Sequence, residues 1–205
     1  MYKYIGMGLL GLFIMMVLPS GTDNINDPGK FYGAAHLLVK DAAGNEVFSQ
    51  TIHNRLLDSG ENFINNQVFT GNGAPIGETG QMSAICVSDY SGVIAEGDTA
   101  LIIAGNNGLT LGNHCHPADI LNINGDGTVV LGPEIFEGNL DITAGEIINS
   151  IAICSDNAGA DYLECDTATS GNAIAFAEIQ TSAVQLGDTE TVDITYTFDL
   201  SSDLT

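Results

Sequence analysis

The sequence predicts an all-β protein, an antiparallel β-sandwich of jelly-roll type with one short helix. After residue 20, short runs alternate between apolar and polar residues, which is typical of strands with one buried face. Turns rich in Gly, Asn and Asp separate the runs, and long helical patterns do not alternate with them. Such an element pattern favours a sandwich or barrel over a parallel sheet.

The first 20 residues, MYKYIGMGLLGLFIMMVLPS, carry a lysine and then an apolar run from Ile5 to Leu18. The run is shorter than the ~20 residues that a membrane-spanning helix needs, and its length suits a secretory signal. We interpret residues 1–20 as a signal peptide, with a retained N-terminal anchor as the alternative. Residues 21–205 are then one sandwich domain, extracellular or at the cell surface, without membrane contact after signal removal.

The first two strands are predicted as a hairpin, because FYGAAHLLVKD and EVFSQTIHN flank the turn AAGN. Later runs with strand character are MSAICVSDY, TALIIA, GTVVLG, NSIAICSD, AIAFAEIQT and TVDITYTFDL. The last run is long, alternating and free of proline. The chain has almost no lysine with which to protect an edge strand. We therefore expect an open edge there, or a strand that is exchanged between subunits.

A helix is predicted over about 58–69, in the stretch LLDSGENFINNQVF. Asp58 and Glu61 have the spacing of a capping box, and Leu57, Ile64 and Val68 fall on one helical face. We expect this helix to pack over one end or edge of the sheets.

Two segments resemble each other: SAICVSDYSG at 83–92 and SIAICSDNAG at 150–159. The likeness predicts equivalent strands in the two halves of the sandwich. Alternation places four side chains toward the core and two cysteines on the opposite face of the strands: Ile85, Val87, Ile151 and Ile153 inward, Cys86 and Cys154 outward.

An exported chain with four cysteines is expected to form disulfides. We favour Cys86–Cys115 and Cys154–Cys165, because the second pair brackets the polar loop SDNAGADYLE. The main alternative joins Cys86 to Cys154 across neighbouring strands.

The stretch GNHCHPAD at 112–119 has three interpretations. His114 and His116 are two residues apart, so a strand would place both on one face as metal ligands, although companion ligands at the usual spacing are lacking. Cys115 could be a nucleophile if it were a free thiol. A disulfide-pinned polar loop is the interpretation that export favours.

The stretch NINGDGTVVLGPE resembles a calcium-binding loop, with Asn122, Asn124 and Asp126 at the first, third and fifth positions. The first position is Asn instead of Asp, and Pro133 occupies the twelfth position, with Glu134 one residue late. The alternative is a hairpin turn of residues that tolerate a left-handed backbone. If the loop binds a cofactor, that cofactor is calcium, which prefers oxygen ligands.

The chain has 26 acidic and 4 basic residues, for a net charge of −22. A basic surface that could bind nucleic acid is therefore not expected. The motifs of P-loop, G-x-S-x-G, H-E-x-x-H and dinucleotide-binding enzymes are absent from the sequence, and we predict that the protein is not an enzyme.

The block QTIHNRLLDSGENFINNQVF at 50–69 resembles a segment of small exported β-sandwich proteins of marine ammonia-oxidising archaea. It carries their pattern H-N-x-L-x-x-x-G-E-x-x-I as His53, Asn54, Leu56, Gly60, Glu61 and Ile64. The wider resemblance, over about a third of the chain, is to archaeal pilus or tube subunits in which a terminal strand completes a neighbour's sheet.

This resemblance implies an extracellular structural protein, the subunit of a homopolymeric surface filament, pilus or tube assembled by β-strand exchange. Its partner would be other copies of itself, supported by divalent cations that neutralise carboxylates. The donor strand would be the segment around 21–33 or the C-terminal strand. The alternatives are a secreted adhesion or binding module that recognises a glycan or a protein, and a virion structural component.

Overall fold

The strands lie where the sequence alternates between apolar and polar residues. A computed structural model describes residues 32–65, 81–99, 102–103, 107–111, 114–123, 127–156 and 174–199. All of them belong to one unit, Phe31–Thr205. They form β1 (Tyr32–Lys40), β2 (Glu46–Leu56), α1 (Asp58–Asn65), β3 (Gln81–Ser88), β4 (Cys115–Pro117), β5 (Ile120–Ile123), β6 (Thr128–Glu137), β7 (Ile147–Asp156), β8 (Ala175–Gln185) and β9 (Thr191–Asp199).

These strands pair in an antiparallel manner in two sheets, which confirms the predicted all-β sandwich. Sheet A has the order β5-β6-β9-β1-β2, and sheet B has the order β4-β3-β7-β8. The end of β2 leaves sheet A and pairs with β8 of sheet B, Arg55 with Glu178 and Leu56 with Ala177. β2 therefore joins the two sheets along one side of the sandwich.

The core lies between the two sheets. In β9, Val192, Ile194 and Tyr196 are almost fully buried, whereas Asp193 and Thr195 between them face away from the core. Sheet B contributes the opposite wall, in which Ile85 and Ile153 are fully buried. Complete burial of side chains of this size stabilises the folded state by about 1.5–3 kcal/mol each, and this term favours the register in which they face inward.

The expectation that the final strand leaves an open edge is wrong. β9 lies in the middle of sheet A and pairs with β1 on one side and β6 on the other. Its register with β1 is unbroken from Tyr32–Asp199 to Lys40–Thr191. Absence of proline and strict alternation suit a central strand as well as an edge strand, so these features do not distinguish the two positions.

The two similar segments form neighbouring strands of one sheet, and their predicted placement in opposite halves of the sandwich is wrong. β3 and β7 pair with Ile85 opposite Ile153 and Val87 opposite Ile151. The predicted faces are confirmed, because all four side chains lie in the core between the sheets. Cys86 and Cys154 lie in a second buried cluster, with Leu57 and Ile103.

The helix α1 begins as predicted at Asp58 and is described to Asn65, while residues 66–69, including Val68, lie outside the described residues. The Glu61 N–H donates to the Leu57 carbonyl at 2.9 Å. Leu57 is therefore the N-cap residue, and Asp58 occupies the first helical position, where its charge suits the helix dipole. The predicted capping box is therefore wrong, because Asp58 and Glu61 do not occupy the N-cap and third helical positions.

The run TALIIA is not a strand where it is described. The Ile103 N–H donates to the Thr99 carbonyl at 2.9 Å, the spacing of a helical turn. The Thr99 hydroxyl also accepts from the Ile102 N–H at 3.4 Å, as an N-cap residue does. A local cap and burial of Ile103 in the second cluster thus outweigh the strand propensity of this apolar run.

Candidate functional site

We call residues 114–123 the crossover, because they connect the edge of sheet B to the edge of sheet A. In sheet B, β4 pairs with β3, and the Val87 N–H donates to the His114 carbonyl at 2.8 Å. After β4, the Asp119 carbonyl accepts from the Gly132 N–H of β6 at 3.0 Å, and β5 then pairs with β6. The crossover therefore joins the sheets on the side opposite β2 and presents β5 at the edge of sheet A.

A disulfide fixes the start of the crossover. Cys86 of β3 and Cys115 of β4 are register partners, and their sulfur atoms are bonded at 2.04 Å. This confirms the predicted Cys86–Cys115 bridge. Because Cys115 is oxidised, it is neither a nucleophile nor a thiolate ligand. Residues 114–119 of GNHCHPAD are thus a disulfide-pinned segment, which was one of its three interpretations.

The second predicted bridge involves Cys154 and Cys165. Cys154 is disulfide-bonded, whereas Cys165 lies outside the described residues. In the register of β3 and β7, Cys86 faces Ala152 and Cys154 faces Ala84. The alternative bridge between Cys86 and Cys154 is therefore wrong.

The two histidines of the crossover contact different groups. His114 is buried, and its Nδ1 lies 3.2 Å from the Leu111 carbonyl oxygen. His116 stacks on Phe136 of β6, with ring centroids 4.4 Å apart and planes at 16°. Its Nε2 lies 3.3 Å from Oδ1 of the buried Asp141. The structure thus gives each histidine a packing role of its own.

Carboxylates from three segments converge around His116. Asp141 also accepts from the Glu137 N–H at 2.9 Å, which ties it to the end of β6. Burial raises the pKa of Glu134, the charge of Asp119 adds to this shift, and the Asp119 backbone N–H and His116 oppose it. We call His116, Asp119, Glu134 and Asp141 the latch, because together they attach the crossover to β6 and thereby position β5.

Part of the latch could be found in the sequence. Asp119 and Glu134 flank the predicted calcium loop, and His116 belongs to GNHCHPAD, so the motifs pointed at three of the four residues. Asp141 carried no such signal, since a turn that follows β6 brings it to His116 from a distant part of the chain. Only the folded sheet reveals this contact.

Among the described residues, no group of three or more His, Cys, Asp or Glu side chains is placed to hold a metal ion. The predicted metal ligands that are described therefore do not form such a group. Asn122 lies on β5 opposite Val130, and Asn124 and Asp126 lie outside the described residues. Gly127 has a φ of 91°, a conformation that glycine adopts readily. β5 and β6 pair as antiparallel neighbours on either side of this stretch.

A second titratable group, which the sequence did not reveal, lies on the outer side of sheet B. Glu178 of β8 is 3% exposed. Burial raises its pKa to about 7, and the nearby Asp98 carboxylate adds to the shift, while the Ser150 hydroxyl opposes it. Leu57, which precedes α1, and Ile103 belong to the buried cluster on this side of the sheet.

No family model, curated protein or solved structure matches this chain. The fold and the crossover therefore define it as an all-β sandwich with a disulfide at one side. Among the described residues, no helix has the length and apolarity needed to cross a membrane.

Proposed function

We propose that this chain is an exported structural protein, the subunit of a homopolymeric surface filament or tube that assembles by β-strand exchange. The observation that carries the proposal is the position of β5. It is an end strand of sheet A with β6 as its hydrogen-bonded neighbour, and Ile120 at its start is 42% exposed. An end strand offers backbone groups to a strand from another chain, and alternate side chains set the register.

The edges of β4 and β6 are less suited to accept a strand. β4 has three residues, one of which is Pro117, and its Cys115 is held to β3 by the disulfide. In β6, the half that extends beyond β5 contains Pro133, which lacks an N–H, and the Glu137 N–H is already bonded to Asp141. β5, by contrast, has the proline-free sequence ILNI.

The donor that the topology favours is the segment 21–31. β9 is paired on both sides, so its donation would require sheet A to open. Tyr32 and Gly33 belong to β1 and are already paired with neighbouring strands. They are therefore not available as part of the donor segment 21–33 that the sequence predicted. The remaining eleven residues extend over about 36 Å at most, enough to pair with a four-residue edge strand.

Charge opposes this assembly. Copies with a net charge of −22 repel one another, and divalent cations bound to carboxylates reduce that repulsion. Calcium at Asn122, Asn124 and Asp126 would act directly beside the acceptor strand. We therefore include calcium as a supporting ion of the assembly.

The test is negative-stain microscopy of exported, processed protein, with calcium and separately with chelator. We expect filaments or tubes with calcium, and their loss when residues 21–31 are deleted or when Ile120→Lys places a charge on β5. Ile102→Lys is the matched control, because Ile102 is 41% exposed and lies outside β5. Circular dichroism establishes that each variant keeps its strands.

Filaments that survive both the deletion and Ile120→Lys would show that β5 is not the acceptor. Monomers under every condition would favour the second candidate, a secreted binding module. That candidate is supported by the outward face of sheet A, on which His36 and Thr51 are exposed without any role in the core.

A further inference from the structure

The outer face of sheet A consists of the side chains that alternate with the core residues of β2, β1 and β9. His36 of β1 lies opposite Thr51 of β2 and Thr195 of β9, so these three form a row across the middle of the sheet. Leu38 lies opposite Ser49 in the next row. The face is thus made of hydroxyl, imidazole and aliphatic groups on a regular sheet.

This face carries little of the charge of the protein. Asp193 of β9 lies opposite Leu38. Its carboxylate accepts a hydrogen bond from Lys40 and forms an ion pair with it. The other carboxylates of these strands stand at the ends of the face, Glu46 beside Lys40 and Asp199 beside Tyr32. In a chain with a net charge of −22, the centre of the face is electrically neutral.

We propose that the outer face of sheet A is a contact surface between two copies of this chain, related by a two-fold axis. Two copies repel each other through most orientations, so a neutral face is where they can approach most closely. A second copy offers the same row of hydroxyl and imidazole groups, which can donate and accept hydrogen bonds in a self-complementary contact. This contact does not depend on strand exchange at β5.

The dimensions of the face fit a weak association. Nine residues of β1 extend over about 30 Å, and the three strands that form the face span about 14 Å. Two such faces bury roughly 850 Å² in total, which is the size of weak, transient protein contacts. Salt strengthens the contact, because rising NaCl from about 0.1 M to about 1 M shortens the Debye length from ~10 Å to ~3 Å.

Sedimentation equilibrium tests this contact. The full chain is measured in the Ile120→Lys background, so that the proposed strand exchange at β5 is blocked and only the lateral contact is observed. We expect a reversible dimer whose dissociation constant falls at least about tenfold over this range of NaCl. Thr195→Arg, at the centre of the face, should weaken the dimer about tenfold or more.

Ser91→Arg is the matched control, because Ser91 is exposed in a segment outside sheet A. Both arginine variants lower the net negative charge by one, so a general charge effect would strengthen association in both. A contact at this face predicts weakening in Thr195→Arg alone. As a second measurement, Thr195→Cys should form a disulfide-linked dimer on oxidation, and Ser91→Cys should not.

The proposal is overturned by a chain that stays monomeric at every concentration and salt. It is also overturned if both arginine variants change the association equally, or if Thr195→Cys cross-links no faster than Ser91→Cys. None of these results bears on filament formation by the chain with the native Ile120, so the two proposals fail separately.

Discussion

At the scale of single residues, the Glu178 carboxyl makes the stability of the sandwich depend on pH. Burial favours its neutral form and raises its pKa from 4.5 to about 7. Between these values the folded protein holds a proton that the unfolded chain releases. The contribution of Glu178 to the free energy of unfolding is therefore highest below pH ~4.5, and it falls by about 1–3 kcal/mol as the pH rises toward ~7.

Glu178→Gln should remove this dependence, because an amide of the same size stays neutral at every pH. We expect the variant to be more stable than the native protein at pH 8, by about 1–3 kcal/mol, and similar to it near pH 4.5. Urea unfolding over this pH range measures the difference. Glu46→Gln, at an exposed position, is the control, and an equal gain in both variants would refute the assignment to Glu178.

At the scale of the elements, Gly60 determines how closely α1 approaches β8. A Cβ at this position would lie 2.3 Å from the Phe176 carbonyl oxygen, a backbone atom that cannot rotate away. Helix propensity alone predicts that Gly60→Ala stabilises the protein by up to about 1 kcal/mol. The contact predicts the opposite, a loss of about 1–3 kcal/mol from overpacking.

Thermal or urea unfolding distinguishes the two outcomes. Gly97→Ala is the matched control, because its nearest neighbour, an Asp58 carboxylate oxygen, would be 4.0 Å from the new Cβ. We expect little change in that variant. A Gly60→Ala protein as stable as the native one would mean that α1 does not pack against β8 at this distance.

Local pattern predicted the elements well and their arrangement poorly. Alternation places Ile85, Val87 and Ile194 in the core correctly, since the two-residue period of a strand depends on neighbouring residues alone. Strand order does not follow from that period: β9 pairs with β1 from the other end of the chain. For the same reason the contact between Asp141 and His116 was not predicted. The Cys86–Cys115 disulfide was predicted, because four cysteines allow only a few pairings.

At the scale of the whole molecule, the net charge of −22 governs behaviour in salt. Carboxylates spread over one folded chain repel each other more than in the expanded unfolded chain, so screening favours the folded state. We expect the melting temperature to rise with NaCl. This general effect is separated from the proposed calcium binding at Asn122, Asn124 and Asp126 by comparing calcium with NaCl at equal ionic strength.

A bound ion stabilises the folded state further, in proportion to the logarithm of its concentration above the dissociation constant. Calcium should therefore raise the melting temperature beyond NaCl at equal ionic strength, and Asp126→Asn should lose this excess while keeping the NaCl response. Asp188→Asn, in an exposed turn, removes the same charge elsewhere and should keep both effects.

An equal response to the two salts in the native protein would reject calcium as a ligand and leave screening as the whole effect. A melting temperature indifferent to NaCl would refute the repulsion on which the cation dependence of assembly rests.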